Sequence, residues 1–203
     1  MSWSRERVVD LSKPLWADRI VAVMKRRHAS RWEIRTLDDL AGQSAVGYGV
    51  LESGATEDFL RTSTHGVYAT MWAQMDGDVD SRVRTVDEGL ERVMSSTDER
   101  PWAFIGESSM LEYAARGRCD LEVLSAGGPS HVRPLALATP LDSELRDRIT
   151  LQILEMHEQG IVQRARAHWF NTPFNHVDCD AQPPPSNGAE RRLVPPGFNL
   201  NFH

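Results

Sequence analysis

Short apolar runs bounded by Gly, Pro and helix-capping residues alternate with segments of helical period between residues 19 and 170, and that alternation confines the chain to an α/β layered fold. The first run is RIVAVM (19–24), after which the basic, polar KRRHASRWE reads as a connector. AVGYGVL (45–51) is a second strand. ESGATEDFLRTS then turns at Gly54 into a helix whose first turn carries Thr56, Glu57 and Asp58, acidic residues that suit the positive end of a helix. Val67, Met71 and Met75 recur at four-residue spacing and predict another helix ending near Gly77. SRVRT is a brief strand, and Thr85 caps VDEGLERVMSS, in which Leu90, Val93 and Met94 share a face. PWAFIG is a strand running into ESSMLEYAARG, a helix with a Gly117 stop. DLEVL and PLALAT are further strands, the latter ended by Pro140. Asp142 is expected to cap a long helix that sets Leu141, Leu145, Ile149 and Ile153 at steps of four and closes at Gly160, followed by the amphipathic IVQRARAHWF. Strands alternating with helices predict parallel pairing.

Charge and length exclude several roles. The net charge is −6 with no Lys/Arg block, which argues against a nucleic-acid partner that must neutralise many phosphates. A chain of 203 residues, 40% apolar and 26% charged, with mean hydropathy −0.43, has the profile of a globular chain built as one large domain or two small lobes. The longest apolar run, Ile20 to Met24, falls far short of the ~18 to 20 residues that cross a bilayer, so no transmembrane segment is expected. The opening MSWSRERVVD lacks an apolar stretch of the kind a signal peptide carries. Residues 181–203 hold five of the eleven prolines without any apolar period and are expected to form a disordered tail.

Catalytic signatures are missing. Gly47, Gly49 and Gly54 sit in GYGVLESG, but Glu52 stands where a dinucleotide fingerprint needs its third glycine. Ser44 in GQSAVG is followed two residues on by Val46, so it is no nucleophile elbow. The histidines are scattered, and His157 reads as a solvated or satisfied helix side chain. Neither an enzyme, a cofactor nor a metal is expected. Two helix starts carry a binding chemistry instead. ESGATEDF offers backbone N–H groups and the Thr56 hydroxyl to an anion, set against the alternative of an ordinary N-terminal turn. Glu107 in FIGESSM is a carboxylate where a strand meets a helix, set against the alternative of a simple cap. Cys119 and Cys179, 60 residues apart and in no CxxC, are either unrelated buried thiols or one long-range disulfide, which would stabilise by about 4 kcal/mol.

YGVLESGATEDFLRTSTHGVYATMWAQM, TVDEGLERVM, WAFIGESSMLEYAARGRCDLEVLSAGG, LATP and RDRITLQILEMHEQGIVQRARAHWF, in this order and spacing, resemble the second agonist-binding segment of ionotropic glutamate receptors, and RERVVDLSKPLWADRIVAVMKR resembles the end of the first. Together they span residues 5–27 and 34–179. The kainate type is similar in its Ala before the binding Thr and its basic-acidic-basic triplet opening the long helix. The resemblance implies a clamshell of the type II periplasmic-binding-protein kind that holds glutamate, or a related amino acid, in a cleft between two lobes. Closure of the lobes would pull on linkers to a cation channel. Carried over by position, Arg5 would hold the ligand α-carboxylate with its guanidinium fork, Ala55 and Thr56 would serve its carboxylates, and Glu107 would receive the ammonium. It also implies a Cys119–Cys179 disulfide, other receptor subunits as partners of a full-length parent, and an extracellular position in a postsynaptic plasma-membrane receptor.

The departures shape the rest of the expectation. Residues 1–18 would be an edge of lobe 1, 19–132 a complete lobe 2, and 133–180 the hinge return with the closing helices of lobe 1, most of which is missing. His28 to Glu33 stand where pore helices would separate the two segments, and Leu135 stands where a cleft tyrosine is expected. A one-walled cleft leaves a ligand hydrated and its charge pairs screened, so weak or no binding is expected from this chain alone. Ile149, Ile153 and Trp169 would lack a sheet to pack on and form an exposed patch. An alternative from the same architecture is a free-standing amino-acid-binding protein that never had a pore.

Overall fold

The computed structural model describes residues 7–64, 66–127 and 132–171, so Arg5, Cys179 and the expected 181–203 tail lie outside the described residues. In chain order its elements are β1 (Asp10–Leu11), β2 (Trp16–Asp18), β3 (Ile20–Lys25), α1 (Arg26–Arg31), α2 (Leu37–Ala41), β4 (Gly47–Leu51), α3 (Ala55–Thr62), α4 (Gly66–Met75), a 3-10 turn (Val79–Ser81), β5 (Arg82–Val83), α5 (Val86–Ser95), β6 (Trp102–Glu107), α6 (Ser108–Ala115), β7 (Leu121–Leu124), β8 (Arg133–Leu135), β9 (Ala138–Thr139), α7 (Leu145–Glu158) and α8 (Ile161–Asn171). They form two compact units, 20–127 and 7–19 with 132–171.

The 20–127 unit is a five-stranded sheet in the order β5-β4-β6-β3-β7 with helices on both faces. Ile20, Ala22 and Met24 of β3 point into one core cluster, with Leu37, Leu40, Leu60 and Met71 of α2, α3 and α4. Val21 and Val23 point into the other, with Leu90, Val93 and Leu111 of α5 and α6. Side chains alternate across a strand, so a strand covered on both faces must be apolar without interruption, and IVAVM is. The same alternation on β6 sends Ala103 and Ile105 one way and Trp102 and Phe104 the other. Gly89 of α5 lies flat on Phe104: a Cβ there would come within 2.8 Å of three ring atoms.

The expectation of parallel pairing needs correction. β4 runs parallel to β5 and β6, but β3 is antiparallel to both β6 and β7, so the sheet is mixed. Helical crossovers link β4, β5, β6 and β7, and such connections return the chain in one direction. β3 has no such connection to its sheet neighbours and runs the other way. The connector 25–33 is also more regular than expected, because burial of His28 and Ala29 folds it into α1. His28 Nε2 and the Arg27 and Arg31 guanidinium groups converge on Asp98. α2 follows from a capping box in which the Thr36 hydroxyl accepts from Asp39 N–H and the Asp39 carboxylate accepts from Thr36 N–H.

The other unit pairs β1 with β9 and β2 with β8, both antiparallel, and carries α7 and α8. PLALAT is thus split between two small sheets. Asp142 does not cap α7: its φ is 57°, its N–H donates to Asp10 Oδ2 at 2.9 Å, and the helix starts at Leu145 behind Glu144. Of the expected patch, Ile153 is 1% exposed and departs from it, Ile149 is half-buried and Trp169 is open to solvent. His157 Nε2 lies 3.3 Å from the Pro14 carbonyl, a satisfied side chain.

Candidate functional site

β4 and β6 are adjacent and parallel, so their carboxyl ends open on the same edge of the sheet, where ligands of open α/β sheets commonly bind. Each end turns into a helix. After Leu51 the chain makes a tight turn in which Ser53 takes a positive φ of 57° and Glu52 N–H donates to the Val83 carbonyl at 2.8 Å. Gly54 then occupies the N-cap of α3 in extended conformation, without a side chain to satisfy the first amides. Glu57 supplies part of what Gly54 lacks: its Oε2 reaches back to accept from Ser53 N–H at 2.5 Å. At the end of β6, Glu107 stands at the N-cap of α6 in extended conformation and makes no side-chain cap bond. Its carboxylate is directed elsewhere, which removes the simple-cap alternative.

That direction is Thr56. The Thr56 hydroxyl donates to Glu107 Oε1 at 2.6 Å, a short hydrogen bond that joins residues 51 positions apart. Thr56 is 2% exposed and Glu107 is half-buried, so the hydroxyl is anchored against a residue that is not wholly out of solvent. Ala55, at the first helical position, is exposed beside them. The arrangement sets an acceptor for a cation a short step from a helix start that favours an anion. Such a pair of opposite preferences suits a zwitterion.

Of the residues singled out from the sequence, Ala55, Thr56 and Glu107 therefore meet at one edge of one unit, and Arg5 and Cys179 lie outside the described residues. Cys119 is half-buried in the turn between α6 and β7, and no free cysteine is present among the described residues. Leu135 is exposed on β8, opposite Trp16 of β2. Sequence inspection passed over Arg82, which bonds Glu57 at 3.1 Å through Nε. Only the parallel register of β4 and β5, Val50 opposite Arg82, makes that partnership visible. Among the described residues no group of three or more His, Cys, Asp and Glu could hold a metal ion, and no helix is long and apolar enough to cross a membrane.

No protein-family model matches the sequence. The chain is 34% identical over 151 residues to glutamate receptor 3 of Mus musculus, covering 73% of this chain and 16% of that protein. It is 34% identical over 139 residues to glutamate receptor 3 of Homo sapiens, covering 68% of this chain and 15% of that protein. Among solved structures it is similar to the Drosophila muscle GluRIIB complex with glutamate, with a TM-score of 0.71 and 25% identity over 85% of this chain and 66% of that one. The chain thus spans about a sixth of the length of these curated relatives.

Proposed function

Because the chain belongs to the ionotropic glutamate receptor family, we propose that it is part of a glutamate-binding domain whose occupation, in a full-length receptor, drives the gating of a cation channel. The observation that carries this is the 2.6 Å bond between Thr56 and Glu107, because it joins the two chemistries an amino-acid ligand needs. The ligand ammonium takes the solvent side of the Glu107 carboxylate. A ligand carboxylate is received by the start of α3, where the Thr56 hydroxyl and the amides of Ala55 and Thr56 stand at the positive end of the helix. Arg5 completes the set with a bidentate hold on the α-carboxylate. The kainate-like character rests on Ala55 preceding Thr56 and on Arg146, Asp147 and Arg148 at the start of α7.

Residues 19–132 make up the complete second lobe in this proposal, and this chain carries an edge and the closing helices of lobe 1. About a third of the solved relative's chain has no counterpart here. Binding by this chain alone is accordingly weak or absent, since a ligand with one wall keeps much of its hydration and its ion pairs are screened. In this proposal the parent receptor lies in the postsynaptic plasma membrane, with this region outside the cell and other subunits as its partners. The test is an amide chemical-shift titration of the purified chain with L-glutamate. Weak, saturable shifts clustered at Ala55, Thr56 and Glu107, lost in Glu107→Gln, are expected. Shifts elsewhere would overturn the site, and micromolar affinity would overturn the weak-binding part.

A further inference from the structure

Glu57 is the residue of α3 whose charge should harm a site for anions. It follows Thr56 directly, so its carboxylate shares the helix start with any ligand carboxylate bound there. Asp58, its neighbour, is exposed and paired with Arg61 one turn along α3. Glu57 is held differently. Its side chain is 17% exposed, Oε2 accepts from Ser53 N–H at 2.5 Å, and Oε1 accepts from Arg82 Nε at 3.1 Å.

Arg82 is itself fixed from several sides. Its Nη1 donates to the Met75 carbonyl at 2.6 Å, the Asp78 carbonyl at 2.9 Å and the Ser81 hydroxyl at 2.8 Å, and its guanidinium carbon stands 5.0 Å from the centre of the Trp72 ring. β5, which carries it, is in register with β4, the strand that leads into the ligand turn. A guanidinium held by three oxygens and an aromatic face cannot swing away to serve a ligand, so it is a stationary cation directed at Glu57.

We propose that Glu57 and Arg82 form a positioning pair for the ligand turn: Glu57 holds Ser53 in the geometry that presents the start of α3, and Arg82 cancels the charge with which Glu57 would otherwise repel an anionic ligand. The proposal rests on the function given above, since it concerns the carboxylate-receiving side of that site. Neither residue touches the ligand in it. The pair separates a structural need, a carboxylate that closes the turn, from an electrostatic need, a helix start that stays positive.

The experiment compares the full chain with Arg82→Met, Arg82→Lys, Glu57→Gln and the double variant Glu57→Gln with Arg82→Met, using L-glutamate shift titrations at low and high ionic strength. Loss of the cation alone should weaken binding about tenfold at low salt, and because the Glu57 side chain is only 17% exposed, high salt should restore only part of that loss. Arg82→Lys should keep most of the affinity, and Glu57→Gln should bind at least as tightly as the unaltered chain. The double variant should recover to within about threefold, a restoration that a merely structural role for Arg82 would not produce. Wild-type affinity in Arg82→Met, equal weakness in the single and double variants, or weakening by Glu57→Gln would each overturn the proposal. If the unaltered chain shows no shifts at Ala55, Thr56 and Glu107, binding by this chain is refuted and this inference is overturned, while the glutamate-binding role in a full-length receptor stands.

Discussion

Replacing Thr56 by Val changes one atom group and leaves the shape of the site almost intact. Both residues are β-branched, so the helical preference of the second position of α3 is nearly unchanged. Thr56 is almost wholly buried, so the new methyl group occupies the space of the hydroxyl without meeting solvent. What disappears is the 2.6 Å bond to Glu107. A hydrogen bond to a charged group contributes about 1.5–3 kcal/mol, and burying a methyl in its place returns roughly 0.8 kcal/mol. Glu107 is half-buried and water can replace part of the lost donor, which favours the lower half of the range. The net cost comes to about 0.7–1.5 kcal/mol, and with a urea slope of about 2 kcal/mol per molar the unfolding midpoint falls by about 0.4–0.7 M. Thr56→Ser should lose less, since it keeps the donor. A double-mutant cycle with Glu107→Gln should show coupling of about 1 kcal/mol. An unchanged midpoint in Thr56→Val, or strictly additive effects in the cycle, would refute the bond as the link between the two halves of the site.

Gly89→Ala puts a Cβ 2.8 Å from the Phe104 ring, and overpacking of about 1–3 kcal/mol outweighs the roughly 0.8–1 kcal/mol gained in helix preference, so denaturant unfolding should show a loss near 1 kcal/mol; a stabilised variant would contradict the close approach. His28 is buried, and desolvation, opposed by its bond to Asp98 and reinforced by the charges of Arg27 and Lys25, holds it below its ordinary value of 6.5. The unfolded chain therefore takes up this proton first, and stability should decline as pH falls through about 6.5 toward the folded value, with the His28 ring signal in NMR titrating below 6.5; a midpoint above 6.5 would reverse the sign. Cys119 and Cys179 peptides should appear joined in non-reducing mass spectrometry of protein made in an oxidising compartment, and free thiols there would refute the bridge.

The parts of the fold that were legible in the sequence are those where burial and local pattern say the same thing. IVAVM announces a strand covered on both faces, and Thr85 at the head of VDEGLERVM announces α5, where its hydroxyl accepts from Glu88 N–H at 3.1 Å. Thr56 and Glu107 were each legible as ends of elements, but their bond was not, because it depends on β4 and β6 being neighbours. Arg82 carried no local signal at all: its meaning comes from a two-residue strand in register with β4. Errors arose where tertiary contacts override composition. A run as polar as KRRHASR became helical because His28 and Ala29 are buried, and Asp142, an acceptable cap by residue type, is instead drawn toward Asp10.

The core is distributed unequally between the two units, and that has a measurable consequence. Nearly all the large side chains that are fully out of solvent, Phe104, Met24, Leu37, Leu90 and Leu111 among them, belong to 20–127. In the other unit Ile153 is buried, while Val132, Leu135, Leu145, Leu151, Leu154 and Trp169 are exposed. Its sheets are ladders of two and three residue pairs. Ordering each residue costs about 1–2 kcal/mol of backbone entropy, and apolar burial is what offsets it. Short ladders with few buried side chains offset less, so this unit should open by local fluctuations well below the cost of global unfolding. Native-state hydrogen exchange should then find the amides of α7 and α8 exchanging at least about a hundredfold faster than those of β3 and β6, a gap of about 2.7 kcal/mol or more. Thr56 and Glu107 sit on the protected side of that boundary, so their bond should persist while α7 and α8 open. If α7 amides prove as slow as those of β3, the exposed leucines are compensated by interactions that burial does not capture, and the separation of a stable site from a fluctuating unit is wrong.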